Sequence, residues 1–287
     1  MKSLKVLCAC FAALAFVACN QDDSVESAEF KLVSSINSLT RTPELDGNGA
    51  GRFVNGDQNS LFFHNGSRTL YSFNYEYGQT YYWDDIKVPA ETQNSSLSAC
   101  YPTVSATDPK NFDWNVESHA GSSDFLFAAP VNVKINSASP VSLVFTHALH
   151  KLVVELVPDG TSVTEDMLAQ SEIQVRNFHP VATLNLLEAK AVAAKGNLTN
   201  ASAKSKKASF ILPAQEVGTM EVLVKVGERT AVYKLSACEV AGESLKNLAS
   251  GKTFSLKIKV SQNAFTIIGQ NISGWDNQGS FEGSVII

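Results

Sequence analysis

A mostly-β chain, folded as two β-sandwich domains with a few short helices, is what this sequence predicts. Three observations carry the prediction. The strongest periodicity is two: Phe254, Leu256, Ile258 and Val260 alternate with Ser255, Lys257 and Lys259, and Val222, Val224 and Val226 alternate with Leu223, Lys225 and Gly227. That is the pattern of strands with one buried face. Turn-forming clusters punctuate such runs at 46–51 (DGNGAG), 64–67 (HNGS), 94–98 (NSSLS), 137–140 (SASP) and 158–162 (PDGTS), and no long stretch repeats with a helical period. Finally, 269 residues remain once an N-terminal leader of 18 is set aside. That is too long for one small sandwich and suits two.

The leader is read from composition. Lys2 and Lys5 precede the uncharged apolar run Val6–Val17, which is 12 residues long. A spanning helix needs about 20 apolar residues, so the run reads as the core of a signal peptide. Val17 and Ala18 lead directly into Cys19. This resembles the lipobox of bacterial lipoproteins, in which the peptide is cut before a cysteine that carries lipid. A plain secretory signal cut at another small residue is the alternative. The formal charge of −5 becomes −7 without the two leader lysines, and no basic patch suited to nucleic acid remains. Lys204, Lys206 and Lys207 read as a solvated loop. Of five cysteines, Cys100 and Cys238 are the two not assigned to the leader or the lipid site. Their spacing fits no metal motif, and two buried free thiols in different domains are expected.

Along the mature chain, Phe30, Leu32 and Ile36 share a parity with Ser34 and Ser38, which predicts a strand over 29–40, just before Arg41. Short helices are expected at 164–170, capped by Thr164, and around 186–194. In the segment 141–156 the apolar parity switches: Val141, Leu143, Phe145 and Leu149 are odd, whereas Leu152, Val154 and Leu156 are even. A switch of this kind requires a bulge or a strand that leaves one sheet for another. The domain break is placed there, near Ser139–Pro140 or a few residues later; the alternative is a fully buried strand, in which parity carries little meaning. The expected organisation is a leader at 1–18, a tether and removable strand at 19–41, an N-terminal domain at 42–140 that includes the strand 29–40, and a C-terminal domain at 141–287. Phe281, Val285 and Ile287 share a parity in the last residues. They read either as a strand given to another molecule or as the last strand of the second domain.

Catalytic signatures are absent from the sequence, so no enzyme activity, cofactor or metal is expected. There is no G-x-S-x-G elbow. Gly251-Lys252-Thr253 imitates the end of a P-loop, but Lys246 stands where its first glycine belongs. His147 and His150 are three apart, which on a strand means opposite faces, so a structural role is expected for both. Asp84 and Asp85 read as a solubilised loop. The aromatic run 71–83 (YSFNYEYGQTYYW) has two readings: a glycan-stacking platform at Tyr81, Tyr82 and Trp83, or a strand packed across a sandwich.

Several segments taken in order resemble the fimbrillin family of the Bacteroidetes, the lipoprotein-derived pilins of type V pili and their Mfa-like relatives. They are CNQDD from Cys19, SLTRTPE at 38–44, FVNGDQNSLFF at 53–63, YYWDDI from Tyr81, SACYP at 98–102, SDFLFAAP at 123–130, LVFTHALHKLVVEL at 143–156, FILPAQ at 210–215, LASGKTFSLKIKV at 248–260 and ISGW at 272–275. The resemblance implies two transthyretin-like sandwich domains and export to the outer membrane and cell surface as a lipoprotein acylated on Cys19. It further implies removal of the N-terminal segment by an arginine-specific protease, placed here at Arg41–Thr42, and assembly with other pilus subunits by donor-strand addition. The assembly strands would then be Phe30, Leu32 and Ile36 on the departing side and Phe281, Val285 and Ile287 on the arriving side. A surface glycan-binding lipoprotein that does not polymerise is the alternative function.

Overall fold

The computed structural model describes residues 27–36, 53–118 and 124–275. The first nine strands are β1 (Glu29–Phe30), β2 (Leu32–Ile36), β3 (Gln58–His64), β4 (Thr69–Glu76), β5 (Tyr81–Tyr82), β6 (Asn94–Tyr101), β7 (Phe112–Asn115), β8 (Leu126–Lys134) and β9 (Val141–His147). Six of them make one sheet in the order β2-β9-β8-β6-β3-β4. One face of this sheet buries Leu61, Phe63, Leu97, Ala99, Leu126, Leu143 and Phe145, together with Phe30 and Trp83. Its other face sends Phe62, Cys100 and Phe127 into a second cluster. β3 is therefore apolar on both parities, as a strand covered on both faces must be.

The rest of the chain builds that second cluster. It comprises β10 (His150–Pro158), helix α1 (Glu165–Ala169), β11 (Glu172–Phe178), β12 (Val181–Asn185), β13 (Lys190–Lys195), β14 (Thr199–Lys204), β15 (Lys207–Leu212), β16 (Gln215–Glu216), β17 (Glu221–Val226), β18 (Arg229–Lys234), β19 (Glu239–Val240), β20 (Glu243–Ser244), β21 (Asn247–Leu248), β22 (Lys252–Val260) and β23 (Phe265–Gly274). Two four-stranded sheets, β15-β10-β22-β23 and β14-β11-β17-β18, and the three-stranded β13-β12-β7 enclose it. β10 and β22 run parallel, and Leu152, Val154 and Leu156 meet Phe254, Leu256 and Ile258 in the core. The alternation in 222–226 and 254–260 is burial alternation, as expected. Thr164 caps α1 by accepting the Met167 amide at 3.4 Å. Cys100 and Cys238 are free and buried.

Four sequence expectations need correcting. The strand does leave one sheet for another, but between His147 and His150 rather than at Ser139–Pro140: β9 pairs with β8 and β2, and β10 pairs with β15 and β22. A boundary at 140/141 thus assigns β9 to the wrong sheet, because Pro140 marks only the turn that enters it. Residues 112–115 also cross the expected boundary, since β7 pairs with β12. NSSLS at 94–98 is the start of β6, buried between β3 and β8; sheet pairing overrides the turn propensity of Ser and Asn. Residues 186–194 are not helical. Leu186 and Leu187 are both buried in a turn, Ala189 has φ of 53°, and β13 pairs back on β12.

The sheet change is tied down by the backbone. Gly251 donates to Leu149 O at 2.8 Å, and Ser250 Oγ donates to Ala148 O at 2.7 Å. Gly251 has φ of 67°, and a Cβ there would lie 3.3 Å from the His147 carbonyl. His147 and His150 serve this junction separately. The His147 Nδ1 lies 2.8 Å from the Asp124 carboxylate, and its ring stacks on Trp275 at 4.1 Å. The His150 Nδ1 lies 2.9 Å from the Ala249 carbonyl oxygen, while its Nε2 is buried without a hydrogen-bond partner among the described residues.

Burial lowers the His150 pKa to about 4, against the opposing pull of the Ala249 carbonyl. Above the unfolded value of 6.5 the ring is neutral in both states. Between 6.5 and about 4 the unfolded chain takes up a proton that the native chain refuses, so stability falls as pH falls across that window. The expected loss from this group is about 3 kcal/mol. His150→Asn, which keeps a donor for Ala249, should flatten that part of the slope in denaturant titrations at stepped pH.

Candidate functional site

The candidate site is the edge of the six-stranded sheet where segment 27–36 lies. Its alternation sets the geometry. Phe30 and Ile36 are buried, Leu32 and Ser34 are half-buried, and Lys31, Val33 and Ser35 are exposed. The segment is held at two places. β1 pairs with β5 through Glu29–Tyr82 and Phe30–Tyr81, the Trp83 amide donates to Ala28 O at 3.0 Å, and the Asp84 amide donates to Ser27 Oγ at 3.1 Å. β2 then runs parallel to β9, from Leu32 beside Val141 to Ile36 beside Phe145.

The other side of β9 gives this edge its character. The β8–β9 ladder takes in only Leu126–Ala128 with Phe145–His147. Val141–Val144 therefore have β2 as their strand partner. The cleft that β2 fills is floored with aromatics. The Phe30 ring lies 5.0 Å from Trp83 and 6.1 Å from Phe63 and Tyr75. Phe53 stacks on Tyr77 at 5.0 Å and meets Phe145 edge-on at 4.8 Å. Burying Phe30, Leu32 and Ile36 stabilises the sheet by about 5 kcal/mol or more at 1.5–3 kcal/mol per side chain.

One polar chain crosses the cleft. Asn59 Nδ2 donates to the Tyr77 hydroxyl at 2.7 Å, and that hydroxyl donates to Ser34 Oγ at 2.5 Å. Burial pushes the Tyr77 phenol pKa well up, so it stays a neutral donor. Sequence reasoning placed Phe30, Leu32 and Ile36 here but missed Tyr77, Asn59 and Phe53. The available signal was the parity of Tyr71, Phe73, Tyr75 and Tyr77, which puts Tyr77 on the inward parity just past the end of β4, from where its hydroxyl reaches Ser34.

The glycan platform is not formed. Trp83 is 2% exposed and donates its indole N–H to Ser137 O at 2.8 Å; Tyr81 is half-buried, and its hydroxyl accepts the Glu76 amide at 3.1 Å. Only Tyr82 of the three is exposed. The reason is β1, whose Phe30 draws the aromatic side chains inward. Cys19, Arg41, Thr42, Phe281, Val285 and Ile287 lie outside the described residues. Among the described residues, no three His, Cys, Asp or Glu side chains cluster as metal ligands would, and no helix is long and apolar enough to cross a membrane.

Comparison with known proteins matches this architecture. The model of the fimbrillin-like family matches residues 46–275. A candidate fimbrium subunit of Bacteroides uniformis, Fim1C, is 31% identical over 119 residues, which is 40% of this chain and 38% of that relative's length. Among solved structures, a candidate cell adhesion protein from Bacteroides uniformis superposes with a TM-score of 0.67 at 18% identity, covering 88% of this chain and 99% of the other. One from Bacteroides ovatus gives 0.59 at 16% identity, with 88% and 99% covered. These likenesses establish the shared fold.

Proposed function

The chain belongs to the fimbrillin-like family, and from that premise we propose that it is a subunit of a cell-surface fimbrium, made with its assembly edge plugged by its own N-terminal strand. Export runs through the leader 1–18 and lipid on Cys19 to the outer membrane. An arginine-specific protease then cuts at Arg41–Thr42, the strand at 27–36 departs, and an extended strand from another subunit takes its place. Such a strand is of the kind formed by Phe281, Val285 and Ile287. Main-chain hydrogen bonds supply the affinity and alternate side chains the register.

One observation carries this reading: Val141–Val144 depend on β2 for strand pairing. Removing 27–36 bares a strand edge and an aromatic floor together. Such an edge is a ready template for an added strand, so cutting and assembly are coupled without any further switch. The first residue of the protein on the cell surface tests it. Mass spectrometry should find acylated Cys19 in the precursor and free Thr42 in the fibre. Finding acylated Cys19 in polymerised material would refute trimming as the trigger.

A further inference from the structure

We propose that the cleft selects its incoming strand by an inward side-chain oxygen at the position of Ser34, with an apolar residue two positions away on each side. This rests on the strand-replacement reading above and goes further by stating what the replacing strand must carry.

The selectivity follows from the polar chain across the cleft. Asn59 is fully buried and its amide occupies the acceptor side of the Tyr77 hydroxyl. The phenol proton then has one direction left, toward Ser34 Oγ. The ring cannot swing away, because Phe53 stacks on it at 5.0 Å and Tyr75 meets it edge-on at 5.2 Å. Asn59 Oδ1 is buried without a hydrogen-bond partner among the described residues; a flip of the amide would let it accept the Tyr77 proton, but would carry Nδ2 into that partnerless place, so one donor is stranded either way. A strand offering only hydrocarbon opposite Tyr77 would strand a donor in this half-buried chain, which is more costly than losing an exchangeable surface bond.

The flanking positions complete the code. Leu32 and Ile36 stand two residues either side of Ser34 and pack into the aromatic cluster. A one-residue slip one way would carry Val33, now 56% exposed, over Tyr77; a slip the other way would bring Ser35 there but put Asn37 in the apolar place of Ile36. The polar centre and apolar ends therefore fix register together. On the parity of Phe281, Val285 and Ile287, this chain's last residues put Gly283 at the middle position, where no side-chain oxygen is available, so the rule favours a strand of the same apolar alternation from a different subunit over a second copy of this one.

The experiment uses the full chain nicked after Arg41, with its N-terminal piece still seated, and follows displacement of that piece by labelled peptides. The probes are residues 27–40 unchanged, the same peptide with Ser34→Thr, Ser34→Ala or Ser34→Val, and residues 276–287. The unchanged and Ser34→Thr peptides should displace at similar concentrations. The Ser34→Ala, Ser34→Val and 276–287 peptides should need at least about tenfold more, equivalent to about 1.4 kcal/mol. In a Tyr77→Phe chain the unchanged and Ser34→Ala peptides should become equal. If Ser34→Ala and Ser34→Val bind the Tyr77 chain as well as the unchanged peptide does, the selection rule is wrong while strand replacement stands. If the unchanged peptide itself never displaces the seated piece, strand replacement falls and the rule falls with it.

Discussion

Phe30→Ala will cost the intact chain about 3–5 kcal/mol and the assembled subunit nothing. Phe30 is 2% exposed, at the centre of an aromatic cluster with Trp83, Phe63, Phe73 and Tyr75. Its ring leaves a cavity that β1, pinned at Glu29 and Phe30 to β5, cannot close. Thermal unfolding of the precursor should drop by roughly 10 °C on that scale. In a trimmed and polymerised subunit residue 30 is gone, so fibre stability should match the parent. Phe63→Ala supplies the control: Phe63 is fully buried in β3 on the same cluster but lies in the part that stays. It should weaken precursor and fibre alike. A Phe30→Ala effect of equal size in both would show that the N-terminal strand is permanent.

Arg41→Ala carries the second large effect. A protease pocket built to pair with a guanidinium rejects a side chain without one by roughly four orders of magnitude. The precursor should accumulate uncut, keep its lipid and form no ladders of polymer, while its unfolding midpoint stays that of the parent. Arg41→Lys keeps the charge but loses the planar fork, so it should be slowed less. Unchanged polymerisation of the Arg41→Ala chain would move the cut elsewhere. Arg52 or Arg68 would be the next positions to change.

Local pattern carried much of the fold into the sequence, and long-range pairing carried what was missed. Phe254–Val260 and Val222–Val226 alternate because each has one buried face, so their strands are visible without knowing their partners. The parity switch at 141–156 is likewise local, and it marks a true change of sheet. β9 joins its sheet through the nearby Leu126–Ala128 of β8 and through Leu32–Ile36, over 100 positions away in sequence, so a window around Pro140 holds only part of that information. Asn94–Ser98 and 186–194 fail for the same reason in opposite senses. Polar residues were recruited into a central strand by β3 and β8, and an alanine-rich run with helical propensity was recruited by β12.

The candidate site divides the same way. Phe30, Leu32 and Ile36 declare an apolar face, and the structure gives that face a floor. The density of aromatics at 71–83 is equally visible, but its direction is not. Composition cannot say whether Tyr81 and Trp83 look outward at a sugar or inward at Phe30; β1 decides it. Tyr77 and Asn59 escaped notice because a single tyrosine and a single asparagine have no periodic signature. Their meaning lies in a 2.5 Å contact with Ser34 on a distant strand.

Segment-resolved hydrogen exchange over Val141–Phe145 tests the central claim most directly. In the intact precursor the amides of Val141, Leu143 and Phe145, which alternate toward β2 as the Val141 N–H does toward Lys31 O, should exchange slowly. After cutting and loss of the N-terminal piece, before assembly, they should exchange fast, and in the fibre they should be slow again. Protection of 141–145 that is unchanged by removal of residues 27–36 would contradict the account, because β9 would then owe its order to something other than the strand proposed to leave.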